Sequence, residues 1–449
     1  MILNEFLGIP CSIDATGRTN NIEIFCHGSS KRLVLNNVFL AKELNSFSFE
    51  NLPKLPLEYI QTSYLGENTN IQELPVLFGT SDVNVTDEEV FVGLDIIGSI
   101  FFSLSRYEEL VLSGRDEHDR FPAYESVAYK ADFLDRPIVD EYVEFLWFYI
   151  ARLWPNLSRK KKQGFTYISC DVDQPIDTTV KDIRILTKTC IADVFKRRNV
   201  VEAVKRIRRY IFNSRGDYRF DPFYSFDWYM DVCERAGLKA VFYFIPTSIE
   251  PNNGSYELTD KEIENLLSEI NSRGHEIGVH GSYQTFKDGN KLSEQKTILE
   301  NELLRLGIDQ KVRGNRQHYL RWDAEITPEL IDKAGFDYDT TGGYADHSGF
   351  RYGTAHEFSM WGWQSNRKLI LKQRPLIVME CSIIEDTYMG LGKGNECFDY
   401  ICSMNFEAKK CGGNFSLLWH NSSLMSNVDK ELFSMCISNT NNTNVKIFR

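Results

Sequence analysis

The sequence predicts an α/β protein. Residues 164–449 alternate short strands with helices, as in a parallel sheet or barrel, and a separate α+β N-terminal domain, residues 1–158, precedes them. Three observations carry this. After residue 164, helical stretches end in glycine and a β-prone run follows almost at once. Gly237 precedes Lys239 to Ile245, Gly274 precedes Glu276 to Val279, Gly307 precedes Lys311 to Arg313, Gly335 precedes Phe336 to Asp339, and Gly412-Gly413 precede Phe415 to Trp419. Glycine just past a helix end supplies the left-handed cap. Helix starts agree: Thr259 with Glu262 fits a capping box, and Thr327-Pro328 fits an N-cap followed by the first helical position. The third observation is a change of character near residue 158, where an aromatic-rich helical pattern from Val139 to Trp154 stops at Pro155. The basic run 159–162 and Gly164 then read as a linker.

Taken in order, the N-terminal region offers strand-like runs at Asn21 to Phe25 and Arg32 to Leu40 and a helical pattern from Val90 to Leu112. No repeat or mechanistic motif stands out there. His27 and His118 read as surface or capping residues, and the polar-aromatic segment Ser103 to Glu109 suits recognition and domain packing equally. Phe165 to Ile168 reads as a short buried strand, and it runs into Cys170-Asp171-Val172-Asp173-Gln174-Pro175. Side chains two apart on an extended chain share a face, so both carboxylates aim into one volume. A polar turn explains Asp and Pro after a strand just as simply.

Composition narrows the classes. The chain has 449 residues, 42% of them hydrophobic and 13% aromatic, which suits two or three domains with large cores. A net charge of -12 argues against general nucleic-acid binding. The start, Met1 to Phe6, lacks a basic leader before an apolar core, and no apolar run has membrane-spanning length. The ten cysteines include no Cys-x-x-Cys pair and read as reduced, so a cytoplasmic protein is expected. Cys170 reads as a buried apolar residue in preference to a nucleophile.

In parallel α/β folds the site forms where strands end and helices begin. Those ends carry Asp171 and Asp173, Pro246-Thr247, His280, Arg313 to His318, Asp337 to Thr341, and His420. Acids, histidines and arginines recurring at one end of successive strands point to an enzyme.

Residues 164 to 425 resemble the polysaccharide deacetylases of carbohydrate esterase family 4. Asp171-Val-Asp173-Gln-Pro175 is similar to that family's first motif, Arg273 to His280 to its second, Arg313-Gly-Asn-Arg316 with Trp322 to its third, and Leu417-Leu-Trp-His420 to its fifth. The resemblance implies a distorted parallel β/α barrel and a divalent metal, zinc or similar. Asp171 would be the catalytic base held by Arg316, Asp173 and His280 metal ligands, and His420 the general acid. These residue types suit amide hydrolysis, which needs an activated water, a stabilised oxyanion and a proton for the leaving group.

One departure stands in the second motif, where the family places another histidine four residues after the first and this chain has Gln284. Three arrangements stay open: Asp173, His280 and Gln284 hold the metal; His318 supplies the third bond; or the metal is gone and a carbohydrate-binding protein remains. Candidate substrate-binding residues are Tyr283, Trp322, Tyr344, Arg351 and Trp419, with the glycine-rich loop between His347 and His356 as a groove lining. His275, at a helix end, reads as structural.

Residues 181–219 form an insertion with twelve Lys or Arg and four acids, net +8. Its FKRRNVVEAVKRIRRY stretch has helical apolar spacing and a basic face, which suits an anionic membrane surface, a phosphate-bearing ligand or a solvated face. The expected function is deacetylation of an N- or O-acetylated glycan, or of a lipid- or nucleotide-linked sugar, in surface polysaccharide metabolism.

Overall fold

The computed structural model describes residues 2–9, 12–14, 21–26, 28–62, 71–160, 162–247 and 253–440. Cys11, His27, position 161 of the basic run and the start at Met1 lie outside them.

The first region contains β1 (Ser12–Asp14), β2 (Asn21–Phe25), β3 (Arg32–Asn36), β4 (Glu58–Gln61), β5 (Glu73–Val76), β6 (Gly79–Val85) and β7 (Glu89–Leu94). Helices α1 (Ile96–Ser105), α2 (Tyr107–Val111), α3 (Val127–Lys130) and α4 (Ile138–Leu153) follow. The order β1-β2-β3-β7-β6 makes a five-stranded sheet, and β4 pairs with β5. The helical pattern expected from Val90 to Leu112 is split. Val90, Val92 and Leu94 are buried at period two in β7, which pairs on both edges. Asp95 then caps α1 by accepting from the Gly98 N–H at 2.7 Å.

The second region runs β8 (Thr166–Val172), α5 (Ile183–Phe195), α6 (Val200–Asn213), α7 (Phe226–Arg235), β9 (Ala240–Phe244), α8 (Lys261–Ser272), β10 (Glu276–Gly281), α9 (Gly289–Arg305) and β11 (Gly314–Gln317). It continues with α10 (Thr327–Lys333), β12 (Tyr338–Asp339), β13 (Phe358–Gly362), β14 (Arg367–Gln373), β15 (Val378–Met379), α11 (Glu380–Ile384), α12 (Asn395–Lys410), β16 (Phe415–Leu418) and α13 (Asn427–Asn439). A nine-stranded sheet has the order β13-β14-β12-β11-β10-β9-β8-β16-β15, with every neighbouring pair parallel except β13 with β14.

The parallel α/β class therefore holds, but among the described residues no ladder closes the sheet into a barrel. β12 and β15 have two residues each, too few to propagate pairing across a seam, and β13 occupies the free edge of β14. Leu376, just before β15, instead donates to the Gly342 carbonyl beyond β12 at 3.2 Å.

The glycine caps hold at Gly237 (φ 72°) and Gly274 (φ 73°), which end α7 and α8 in the left-handed region. Three local expectations change. Residues 311–313 precede the strand, because β11 pairs only from Gly314. Asp260, not Thr259, is the N-cap of α8, with no side-chain cap bond. Thr327 is the first residue of α10, and its hydroxyl donates to the Phe286 carbonyl at 2.7 Å.

The two regions share one hydrophobic core that runs from Phe6 and Ile24 through Tyr107 and Phe145 to Phe242 and Trp419. Buried polar contacts cross between them. Asp140 accepts from the Thr354 hydroxyl (2.5 Å) and the Ala355 N–H (2.8 Å), and Trp363 donates to the Ser105 carbonyl at 2.9 Å. Every described cysteine is free. No helix among the described residues is long and apolar enough to cross a membrane.

Candidate functional site

In β8, Cys170 and Val172 are fully buried in the core, so the pleat turns Asp171 and Asp173 to the other side. Burial pushes the Cys170 thiol well up, which suits an inert packing residue. The two carboxylates converge: His280 Nε2 at the end of β10 lies 3.6 Å from Asp171 Oδ2 and 3.4 Å from Asp173 Oδ1. Arg316, in β11, donates from Nη1 to Asp171 Oδ1 at 2.9 Å and from Nε to the Thr340 hydroxyl at 3.1 Å. Its guanidinium stacks on Tyr243, 4.8 Å from the ring centre. Both members of the Arg316–Asp171 pair are buried, so each needs the other.

His318 follows β11 directly. Its Nε2 lies 3.5 Å from Asp173 Oδ1, and its ring centre is 4.8 Å from that of His280. The next two residues, Tyr319 (φ 61°) and Leu320 (φ 54°), take left-handed backbone values, each a cost of order 1 kcal/mol. Packing holds that turn: Tyr319 sits against His118 at 4.5 Å between ring centres and against Tyr283 at 5.5 Å.

Asp173, His280 and His318 each offer an atom to one small volume. Three features of these residues fit a divalent metal. Asp173 Oδ1 is buried and has no hydrogen-bond partner. His280 Nδ1 lies 2.9 Å from the Arg316 carbonyl, which can only accept, so Nδ1 carries a proton and Nε2 is the ring nitrogen turned to Asp173, where a metal would displace its proton. The O···N separations of 3.4 and 3.5 Å match the edge, about 3.4 Å, of a tetrahedron with zinc-like bond lengths. The charges agree. Burial disfavours ionised Asp173, yet His318 and His280 hold its pKa well below the usual range. Burial likewise opposes protonation of His280, and Asp171 with Asp173 outweighs it and raises that pKa.

His420, just past β16, faces the same volume with Nε2 3.9 Å from Asp173 Oδ2. Its Nδ1 lies 2.7 Å from Glu380 Oε1, and the same oxygen accepts the His420 backbone N–H at 2.9 Å. Burial would lower the His420 pKa, but Glu380, followed by Asp173 and Asp171, pushes it up to about 10. Sequence reading missed Glu380, although the apolar run Leu376 to Met379 ending in an acid repeats the signal that marked Asp171.

Asp171, Asp173, His280, His318 and His420 line a cavity of about 460 Å³, within the range of small-molecule sites. Its wall also includes Asn253, Tyr319, Glu385, Tyr388 and Arg120, the last from the N-terminal region. Asp116 grips Arg120 Nε at 2.6 Å, and Nη1 donates to the Tyr319 carbonyl at 3.1 Å. No sequence signal singled out Arg120, because its place depends on how the two regions pack.

Several expected site residues stand elsewhere. Gln284 is exposed at the start of a single helical turn and lines no part of the cavity. Four residues past His280 the chain has already left the strand and turned outward. Trp322 and Trp419 are core residues, Trp419 packing on Phe433 at 5.3 Å. Tyr344 and Arg351 lie under the N-terminal region: Arg106 donates to the Tyr344 hydroxyl at 2.8 Å, and Arg351 binds Glu109. The loop between His347 and His356 is thus a packing surface and not a groove lining. Tyr283 is one layer out, its hydroxyl 3.1 Å from His118 Nδ1. His275 is structural, accepting from the Ala240 N–H at 3.0 Å. If the site is loaded with a divalent metal, His318→Ala is expected to lose it while Gln284→Ala keeps it, read by metal analysis after gel filtration.

Fold and site together define a mixed α/β protein with a candidate metal centre at the carboxyl ends of a parallel sheet. Residues 1–155 match a family of unknown function, DUF7033. Among solved structures, the chain is similar to one described as a polysaccharide deacetylase from Mycobacterium smegmatis. The identity is 14%, covering 63% of this chain and 86% of that one, with a TM-score of 0.38. It is also similar to Puue allantoinase at 13% identity, covering 63% and 85%, with a TM-score of 0.37. No curated protein matches the chain.

Proposed function

We propose that the protein is a metal-dependent hydrolase that removes an acetyl group from an N- or O-acetylated glycan or sugar intermediate in surface polysaccharide metabolism. We place it in the cytoplasm, with residues 1–158 as an accessory domain. The observation that carries this reading is the convergence on one cavity of three groups: a metal-ligand set, a carboxylate held by a buried arginine, and a histidine held by a buried glutamate.

Asp173, His280 and His318 would hold the ion. A divalent cation there supplies Lewis acidity toward a carbonyl oxygen and an acidified water. Asp171, one oxygen fixed by Arg316, turns its other oxygen to the cavity and accepts the proton of the attacking water. His420, protonated at neutral pH, delivers a proton from Nε2 to the leaving nitrogen or oxygen, while Glu380 fixes its Nδ1–H. The missing second histidine of the sequence motif was the ground for a binding-only reading. His318, reaching the same volume from the next strand, supports the hydrolase reading over that one.

Acetate release from N-acetylhexosamine oligomers, measured together with metal content, tests the reading. Turnover with one equivalent of metal supports it. Glycan retained without acetate or metal would make the protein a binding module.

Arg120 is the one permanent cation among the described cavity-lining residues, and it suits a phosphate on a lipid- or nucleotide-linked sugar. Arg120→Ala is expected to raise KM for a nucleotide-linked acetylated sugar about tenfold and to leave KM for a neutral oligomer nearly unchanged. Equal effects on both substrates would remove the phosphate from this reading.

A further inference from the structure

The helical hairpin α5–α6 has the polarity of a surface helix reversed. Its salt bridges face the protein. Arg206 reaches Asp193 at 2.7 Å and Asp177 at 3.4 Å, and Arg209 reaches Asp177 at 2.9 Å and Glu202 at 3.1 Å. Asp177 and Asp193 are buried by these contacts. The apolar residues face outward instead. Val200, Val204, Ile207 and Ile211 recur along one stripe of α6 and are 59%, 60%, 45% and 40% exposed. On α5, Ile183, Ile191 and Phe195 are 52%, 54% and 79% exposed. A four-residue turn joins the helices, so they run antiparallel, and they pack through Cys190, whose thiol lies 3.7 Å from the Ala203 carbonyl. Both stripes lie on the same rotational side of that seam, which makes one apolar face.

A soluble surface does not spend this many β-branched residues on water without an occupant. The rim of the face says which occupant. Arg184 and Lys188 border it on α5, Lys205 and Arg208 on α6, and Lys196 and Arg198 at the tip beside Phe195. None of these six has an ion-pair partner among the described residues. Of the other cations in 181–219, Arg197, Arg206 and Arg209 are bonded to acids of the hairpin and its root, Lys181 pairs with Asp260 and Arg219 with Asp217. An apolar centre with a ring of uncompensated cations, net +8 over 181–219 in a chain of net -12, is complementary to an anionic lipid interface.

We propose that the α5–α6 hairpin docks the protein on an anionic membrane surface. The stripe Val200, Val204, Ile207, Ile211 with Ile191 and Phe195 enters the headgroup–acyl boundary, and the basic rim engages lipid phosphates. The hairpin is rooted at Asp177, four residues past Asp173, so docking brings the cavity's end of the sheet to the membrane. This inference stands without the hydrolase reading, because the experiment uses no substrate.

The full-length protein is sedimented with phosphatidylcholine vesicles, with and without phosphatidylglycerol. Binding is expected only to the anionic vesicles. Lys196→Gln/Arg198→Gln should weaken it roughly tenfold or more, at about fivefold per cation. Val204→Ser/Ile207→Ser should weaken it by a similar factor at unchanged thermal midpoint, since both residues are exposed. Equal binding to both vesicle types, no binding to either, or variants that bind like the wild type would each overturn the proposal. A wild-type dimer that either variant converts to a monomer would overturn it too, by assigning the face to a second copy of the chain.

Discussion

Asp173→Ala is expected to leave the protein folded and strip it of metal. The wild type should purify with, or be loaded to, one equivalent of zinc or a similar ion, and the variant should hold none and release no acetate. Asp173 is the member of the ligand set that both imidazoles address: His280 Nε2 and His318 Nε2 lie 3.4 and 3.5 Å from one carboxylate oxygen that has no other partner. Without it, two neutral nitrogens remain, too few for a closed or catalytic site. The loss should exceed the ~10–100-fold that follows removal of an outer hydrogen-bond partner. The variant is expected to stay folded in chelator with a modestly lower thermal midpoint, because the Asp173 side chain is 29% exposed and the change removes its contacts with the two imidazoles. Metal retained at full stoichiometry in the variant would refute the ligand set.

The second large effect lies far from the cavity. Glu109→Ala is expected to destabilise the protein by about 3–5 kcal/mol, because it leaves the buried Arg351 guanidinium without its carboxylate and Arg106 with Glu108 alone. Arg351 donates to Glu109 from Nε at 2.9 Å and from Nη2 at 2.8 Å, and Arg106 donates to the same carboxylate at 2.7 Å. All three side chains are buried between the two regions. Burial would raise the Glu109 pKa, but Arg351 and Arg106 bring it down from 4.5 to about 2. A carboxylate depressed in the folded state stabilises above its unfolded pKa and loses that contribution as the pH falls through the folded value. The shift is worth roughly 3 kcal/mol above pH 4.5, fading toward pH 2. Denaturant unfolding of wild type and variant at neutral pH, repeated near pH 3, measures this. The stability gap between them should narrow in acid, and a gap independent of pH would show that the loss is packing alone.

Much of the fold was legible because it rests on local physics. Glycine caps, Pro155 and the apolar runs from Lys239 and Glu276 depend on residues adjacent in the chain, and β9 and β10 lie where those signals put them. The run from Val90 to Leu112 was misread because strand pairing, a long-range effect, overrode a helical pattern in β7. Whether the parallel sheet closes was not legible for a similar reason: it depends on the lengths of β12 and β15, whose ends no local residue marks.

The site divides in the same way. The sequence by itself determined which residues a parallel sheet offers at its carboxyl ends: Asp171, Asp173, His280, Arg316, His318 and His420, since strand periodicity and chain order fix the end on which each emerges. Tertiary structure alone decided which of the offered residues meet. It turned Gln284 to solvent and brought His318 to Asp173 through the strained turn at Tyr319. It also set Glu380 behind His420 and placed Arg120 in the cavity wall. It buried Arg351 and Tyr344, both read as sugar contacts, against an N-terminal region whose position no local signal encodes. A side chain's chemistry is written in its own residue, whereas its neighbours come from packing summed over the whole core.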